Sequence, residues 1–310
     1  MTKRHVSLPK GAEAGLRGFI EDVDTRLGEA EDPTALADTV AEVLVDLYGE
    51  RDAWERWQAG ESVGPVERAR LQSLHPENAT LESEYYAEKD ETAFARSKPL
   101  QYLWRRFDDS PLADNVELAL RFRRMLADHL FEEVGDGVRF FRGISMTYGH
   151  NITVGDNVVI HDDVHLDDRG QLEIGDRVSL SDGVHLYSHD HDVVDQTEVT
   201  NFRTIVADDA RITQGALVRA GTRVGENAIV GARAVVQGDV PAHHVVVGMP
   251  AKSLGPKPDF EDVADSVEDG LVDRRREREL PYELPADLDR FDEFQRPDRY
   301  DEPVSPHEQE

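Results

Sequence analysis

Residues 185–195 read HLYSHDHDVVD, which places His185, His189 and His191 within seven positions, the last two alternating with aspartate. Imidazoles at this density fit three roles: they ligate a metal, they take and return a proton near neutral pH, or they sit among acids in a solvated loop. The stretch alone leaves all three open. The chain has no cysteine, so a metal site would have to come from imidazole and carboxylate, and no disulfide framework exists. Where these rings point depends on the elements on either side.

At 310 residues the chain is long enough for one large domain or two ordinary ones, each with a sizeable core. Its charge is extreme: 64 acidic against 35 basic residues give a net of -29, and only six of the basics are lysine. Such a surface repels phosphate, so nucleic acid is not an expected partner. A heavily hydrated acidic surface is suited to high salt, where screening removes much of the self-repulsion, and the reading is a halophilic protein. The first residues lack an apolar stretch of signal-peptide length, and no run approaches the roughly 18 apolar residues of a membrane span. A cytoplasmic protein with no membrane partner is the expectation.

The pattern divides the chain in three: a helical domain over 1–135, a repeat domain over 136–254 and an acidic tail over 255–310. In the first, Asp32-Pro33 supplies a cap and a first-turn proline, after which Leu36, Val40, Val43, Leu44 and Leu47 keep one apolar face. A second helix is predicted from Asp114 through Leu118, Phe122, Met125, Leu126 and Leu130, with Trp54, Trp57, Tyr85, Tyr86 and Trp104 as packing aromatics between them. The tail has 19 acids against 8 bases, which predicts an extended or disordered segment, with Arg274 to Arg278 a solvated or intersubunit charge run.

The middle carries the strongest signal. Val206, Ile212, Val218, Val224, Val230 and Val236 recur every six residues, and four residues after each come Ala210, Ala216, Thr222, Ala228, Ala234 and Val240. An earlier block does the same through Val154, Ile160 and Leu166, slips by two residues, and resumes at Ile174, Leu180 and Leu186. Neither a helix nor a flat sheet has this period, so the chain turns a corner once per hexapeptide and three corners close a triangular coil. Coils stack at about 4.8 Å with branched aliphatics inside. This register puts His165 and His185 one above the other, and between Leu186 and Val206 it predicts a loop that leaves the prism. Such a departure interrupts pairing between coils and is a natural place for binding or chemistry.

The chain resembles the hexapeptide-repeat acyltransferases, most closely their maltose and galactoside O-acetyltransferase branch. YGHNITVGDN (148–157) is similar to the family's entry into the first coil, GVHLYSHDH (183–191) to its catalytic segment, RVGENAIVGARAVVQGDVP (223–241) to its coenzyme-binding coils and VVVGMPAK (245–252) to its closing turn. The resemblance implies an α+β chain in which a helical domain precedes a left-handed parallel β-helix, with three copies assembling as a homotrimer and active sites in the clefts between them. It implies acetyl-CoA as co-substrate, a small acceptor such as a sugar or glycan precursor, and His191 as the catalytic base, with His189 an additional histidine beside it. His161, Asp163, Asp168 and His185 fall at acceptor-binding positions, and Gly215, Arg233, Gln237 and Lys252 at coenzyme positions.

Charge agrees with a coenzyme site in the later coils: residues 204–252 hold five basic and four acidic residues, a net of +1 in a chain at -29. Two departures bear on specificity. Gln237-Gly238 replaces the family's threonine-lysine pair, and His161-Asp162-Asp163 replaces its asparagine-x-asparagine. No metal is expected in this reading. One rival is a metalloenzyme similar to the gamma-class carbonic anhydrases, in which His165, His185, His189 and His191 would supply ligands for a metal hydroxide. The other is a non-enzymatic scaffold.

Overall fold

The computed structural model describes residues 10–194, 198–267 and 270–282. It opens with helices α1 (Lys10–Glu29), α2 (Pro33–Leu47), α3 (Arg51–Gln58), α4 (Pro65–Gln72), α5 (Glu91–Asp108) and α6 (Val116–Leu130). As expected, Asp32 caps α2, its Oδ1 accepting from the Ala35 N–H at 2.9 Å, and Pro33 occupies the first turn. The last helix starts slightly later than predicted. Asp114 closes a short 3-10 turn, and Asn115 caps α6 through the Leu118 N–H at 3.2 Å.

Aromatic packing joins the helices to the first turns of the repeat domain. The Trp104 ring lies 6.2 Å from Phe131 and 5.6 Å from Phe140, centroid to centroid, and is 1% exposed. Tyr85 departs from its expected core role and is 59% exposed. A buried ion pair adds a polar clamp: Arg123 Nε donates to Asp108 Oδ1 at 2.7 Å, Arg123 Nη1 to the Phe140 carbonyl at 3.2 Å, and the Gly143 N–H to Asp108 Oδ2 at 3.0 Å. These bonds tie α5 and α6 to the first coil, and one apolar core runs from the helices into the coils.

From Glu133 the chain winds as a parallel β-solenoid of three faces. The first face stacks Glu133–Val134, Ile152–Val154, Gln171–Ile174, Val199–Val206 and Arg223–Val224. The second stacks Arg139–Phe140, Val159–Ile160, Ser179–Leu180, Arg211–Ile212, Ile229–Val230 and His244–Val247. The third stacks Ser145–Met146, His165–Leu166, His185–Leu186, Leu217–Val218 and Val235–Val236. Every aliphatic of the predicted repeat from Val154 to Val236 is buried, and so are the small residues four positions on. His165 pairs with His185 in register, their rings 5.5 Å apart.

The spacing irregularities all fall at the corner where the third face passes to the first. From Met146 to Val154 is eight residues, from Leu166 to Ile174 eight, from Leu186 to Val206 twenty, and from Val218 to Val224 six. The longest excursion is an antiparallel hairpin, His189–His191 against the start of Val199–Val206, with residues 195–197 outside the described ones.

The described part of the tail is docked on the coils and includes a 3-10 turn at Arg275–Arg278. Glu279–Leu280 pairs antiparallel with Phe202 and Asn201, and the Tyr282 hydroxyl donates to the Val199 carbonyl at 2.7 Å. Arg275 and Arg278 are not solvated as predicted: they pair within the chain, Arg275 Nη1 with Asp190 at 2.9 Å and Arg278 Nη2 with Asp239 at 2.6 Å. Residues 283–310, the remainder of the predicted tail, lie outside the described residues.

Ile212 is fully buried between Leu180 and Val230 of the neighbouring coils. Replacing it with Ala is expected to lower unfolding stability by about 2–5 kcal/mol through lost burial and a cavity that stacked coils cannot close. Urea denaturation measures it.

Candidate functional site

The third-to-first corner gathers Thr147 to Asn151, Asp167 to Gly170 and the hairpin from Ser188 onward. Extra residues at a corner leave amides without a partner in the next coil, and side chains take over. Asp168 is wholly buried, and its carboxylate accepts four of them: Thr147 and Tyr148 N–H on Oδ1 at 2.9 and 2.8 Å, Gly149 and Asn151 N–H on Oδ2 at 2.6 and 3.3 Å. Burial lifts this carboxyl, to about 7, while the converging amides pull it the other way. The resemblance places Asp168 against the acceptor. In this chain its oxygens accept four backbone N–H groups, and it shapes the corner.

Asp167, which no sequence pattern singles out, holds the hairpin. Its Oδ2 lies 2.5 Å from His189 Nδ1 and accepts the Ser188 N–H at 3.2 Å, while its Oδ1 accepts the Thr147 hydroxyl at 3.1 Å. Burial pushes the Asp167 carboxyl up, but His189 and the other donors outweigh it and leave the group below the usual carboxylate range. An ionised carboxylate only accepts, so Nδ1 of His189 carries a proton toward it, and in the neutral ring the lone pair is then on Nε2. The His189 side chain is 17% exposed, which leaves its ring edge within reach of solvent. The one available signal for Asp167 is its place in the two-residue slip, one coil below the histidine loop.

Ser188 completes the corner. Its hydroxyl donates to the Asp167 carbonyl at 2.5 Å and accepts the Gly170 N–H at 2.8 Å. Position 170 must be glycine, because a Cβ there would lie 2.2 Å from the Phe202 carbonyl oxygen.

On the hairpin, alternation separates two faces. His189 and His191 emerge on one, their rings 5.3 Å apart and edge to face, and His191 is exposed. Asp190 emerges on the other and meets Arg219 Nη2 at 2.5 Å and Arg275 Nη1 at 2.9 Å. The tail thus straps the histidine strand to the next coil.

The remaining predicted residues divide between corners. His185 lies on the third face beneath the hairpin, with Tyr187 6.1 Å from it and His165, whose Nδ1 lies 2.9 Å from Ser145 Oγ, one coil earlier. Burial lowers the His165 imidazole's affinity for a proton, Asp167 opposing. His161, stacked on Phe141 at 5.0 Å, and Asp163, at a positive φ of 58°, lie at the second-to-third corner, so one chain does not bring them to the hairpin. Gly215 and Arg233 occupy that same corner one coil apart, the Arg233 Cγ 3.4 Å from a Cβ built on Gly215. Lys252 pairs with Val247, which packs against Gly231 near Arg233, whereas Gln237 is exposed at the third-to-first corner. Among the described residues, no three His, Asp or Glu side chains converge to hold a metal, and no helix is long and apolar enough to cross a membrane.

No protein-family model matches the chain. Over 63 residues it is 41% identical to a 2,3,4,5-tetrahydropyridine-2,6-dicarboxylate N-acetyltransferase of Staphylococcus aureus, a stretch covering 20% of this chain. The chain spans about a quarter (26%) of the length of the curated relatives it matches. Among solved structures, a hexapeptide-repeat acetyltransferase of Vibrio cholerae complexed with acetyl coenzyme A is 24% identical with a TM-score of 0.48, covering 55% of this chain and 89% of that one. A maltose O-acetyltransferase of Clostridium difficile is 27% identical with a TM-score of 0.48, covering 58% and 100%.

Two outcomes test the corner. Asp168→Asn turns an NH₂ toward two amide donors and is expected to cost about 2–6 kcal/mol of stability in urea unfolding, since each buried amide left unpaired costs about 1–3 kcal/mol. Arg275→Ala is expected to speed hydrogen exchange at the amides of His189 to His191 severalfold while the coil amides keep their protection.

Proposed function

We propose that the protein is an acetyl-CoA-dependent acyltransferase that moves an acetyl group to a hydroxyl of a sugar or similar small acceptor. The observation that carries this reading is the Asp167–His189 pair, in which a buried carboxylate fixes the tautomer and direction of a part-exposed imidazole. The 63-residue likeness to N-acetyltransferases and the four matched segments support the class.

The chemistry is set by the reactants. A thioester is already activated, so the protein must hold the acceptor and remove its proton as bonding begins. Nε2 of His189 takes the hydroxyl proton while the oxygen attacks the thioester carbonyl carbon. The tetrahedral intermediate expels the thiolate, which recovers that proton from the imidazolium, giving an acetyl ester and free coenzyme thiol. Asp167 stays ionised and steadies the imidazolium. The corner of Gly215 and Arg233, with Lys252 near it, offers cationic side chains for the coenzyme's phosphates.

His191 remains the second reading for the base, because it ends the segment that resembles the family's catalytic one. The two histidines lie on the same hairpin face, their rings 5.3 Å apart, so the proposal concerns which ring takes the acceptor's proton. A homotrimer, in which a neighbouring chain would bring His161 and Asp163 toward the hairpin, is part of the same reading, as is a cytoplasmic, halophilic setting.

The test is thiol release from acetyl-CoA across a panel of sugar and amine acceptors in molar potassium chloride. His189→Ala is expected to lower turnover by about 10²–10⁴-fold, the usual contribution of a general base. Asp167→Asn should lower it less and leave KM for acetyl-CoA unchanged. If His191→Ala abolishes turnover and His189→Ala does not, the base is His191; if neither variant changes it, imidazole catalysis is wrong.

A further inference from the structure

The histidine hairpin leaves the coils, and part of it lacks the support that stacking gives. The strand Gln171–Ile174 of the preceding coil pairs with the return strand only from Arg203 onward, so Val199 to Phe202 lie beyond it. Over those residues the return strand has His189–His191 along one edge and the tail strand Glu279–Leu280 along the other. His189–His191 is an edge strand, with no further strand outside it among the described residues. A two-stranded hairpin is marginal in water, and a third strand is what gives such a ribbon a lasting shape. We infer that the tail is an integral part of the active site, in which Arg275 is a positioning residue that sets the histidine strand for proton transfer. This rests on the acetyl-transfer reading proposed above.

Tail contacts reach both strands of the hairpin. Arg275 Nη1 donates to Asp190 Oδ2 at 2.9 Å, and Arg219 Nη2 donates to the same oxygen at 2.5 Å. Asp190 emerges opposite His189 and His191, so two guanidiniums pin one side of the strand while Asp167 pins the His189 ring on the other. Arg275 is itself held in direction, with Nε 3.1 Å from Asp273 Oδ1 and the guanidinium 5.8 Å from the Phe202 ring. Its side chain is 15% exposed, and an ion pair so withdrawn from water is screened by salt far less than a surface pair. On the return strand, the Tyr282 hydroxyl holds Val199, and Arg278 anchors the segment below on Asp239 and the Gly221 carbonyl at 2.6 and 2.7 Å.

The coils are shaped to receive this segment. A Cβ on Gly221 would lie 2.8 Å from the Phe202 ring and 2.9 Å from the Arg275 Cβ, and one on Gly238 would lie 3.0 Å from the carbonyl oxygens of Leu271 and Val272. Beside Gly238 the Asp239 N–H donates to the Val272 carbonyl at 2.8 Å. The aliphatic interior from Val154 to Val236 is filled by the coils themselves, so the Arg275 guanidinium bears on the hairpin rather than on the prism. Arg276, the next residue, is exposed and has no side-chain partner among the described residues, which makes it the natural control.

The experiment uses the full chain in molar potassium chloride and compares Arg275→Ala and Arg275→Lys with Arg276→Ala. The first readout leaves acetyl-CoA out: the proton on His189 Nδ1, assigned by its loss in His189→Ala, is followed by proton NMR. Arg275→Ala is expected to broaden or erase this resonance, and the other two to keep it. The second readout is thiol release, in which Arg275→Ala is expected to lower kcat by about 10- to 100-fold with KM for acetyl-CoA unchanged, since a displacement of about 1 Å at the reacting groups costs that much. Arg275→Lys, or millimolar guanidinium added to Arg275→Ala, should restore most of it by returning a cation to Asp190. Should Arg275→Ala not fold, as judged by its thermal melt, Arg275→Gln, which keeps the stem, takes its place. An unaltered resonance, an unaltered kcat, an equal fall in Arg276→Ala, or a loss that neither lysine nor guanidinium mends would each overturn the assignment. If the wild-type chain releases no thiol with any acceptor, the acetyl-transfer reading fails, and the resonance by itself decides whether the tail holds the ring.

Discussion

A stacked coil satisfies its backbone only if each turn has the same length as the one beneath it, and this chain breaks that condition repeatedly at one corner. Each surplus residue carries an amide that the next coil cannot pair. The corner is closed by Asp168 with four amides, by Asp167 with Ser188 and His189, and by the Ser188 hydroxyl with Gly170. The polar cluster that solves the backbone problem is also the one that orients an imidazole. Structure and chemistry here have the same cause.

Because the surplus always falls at the third-to-first corner, its products accumulate there: a hairpin with His189 and His191 on one face, a buried arginine reaching the helical region, and a strand edge that the tail completes. The helices are not a separate attachment. Glu88 meets Arg169, Gln101 donates to the Tyr148 carbonyl, and Arg123 clamps the first coil, so the helical part buttresses the corner from outside. The tail adds a second brace through Arg275 and Arg278. In a chain whose acids outnumber its bases 64 to 35, placing these two against Asp190 and Asp239 uses them where a loop would otherwise lift away.

Much of the frame is legible in the sequence because a six-residue period has so few physical solutions. The interior positions from Val154 to Val236, the vertical alignment of His165 with His185, and the departure after Leu186 all come from counting. The cap at Asp32 is legible for a local reason, since an aspartate before a proline satisfies amides within its own turn. The earliest slip, from Met146 to Val154, is not legible, because too few repeats precede it to set a rhythm.

What the sequence determined, then, is the prism, its register and the corner at which it is interrupted, since these depend on periodicity and residue size alone. Only the tertiary structure showed that His189 is held by a carboxylate 22 positions away, which the winding brings to 2.5 Å. It alone showed Asp168 turned inward to backbone amides, His161 and Asp163 at a different corner, and Arg275 and Arg278 folded back on the coils. Contacts between coils, helices and tail join residues with no common period, and a pattern read along the chain carries no record of them.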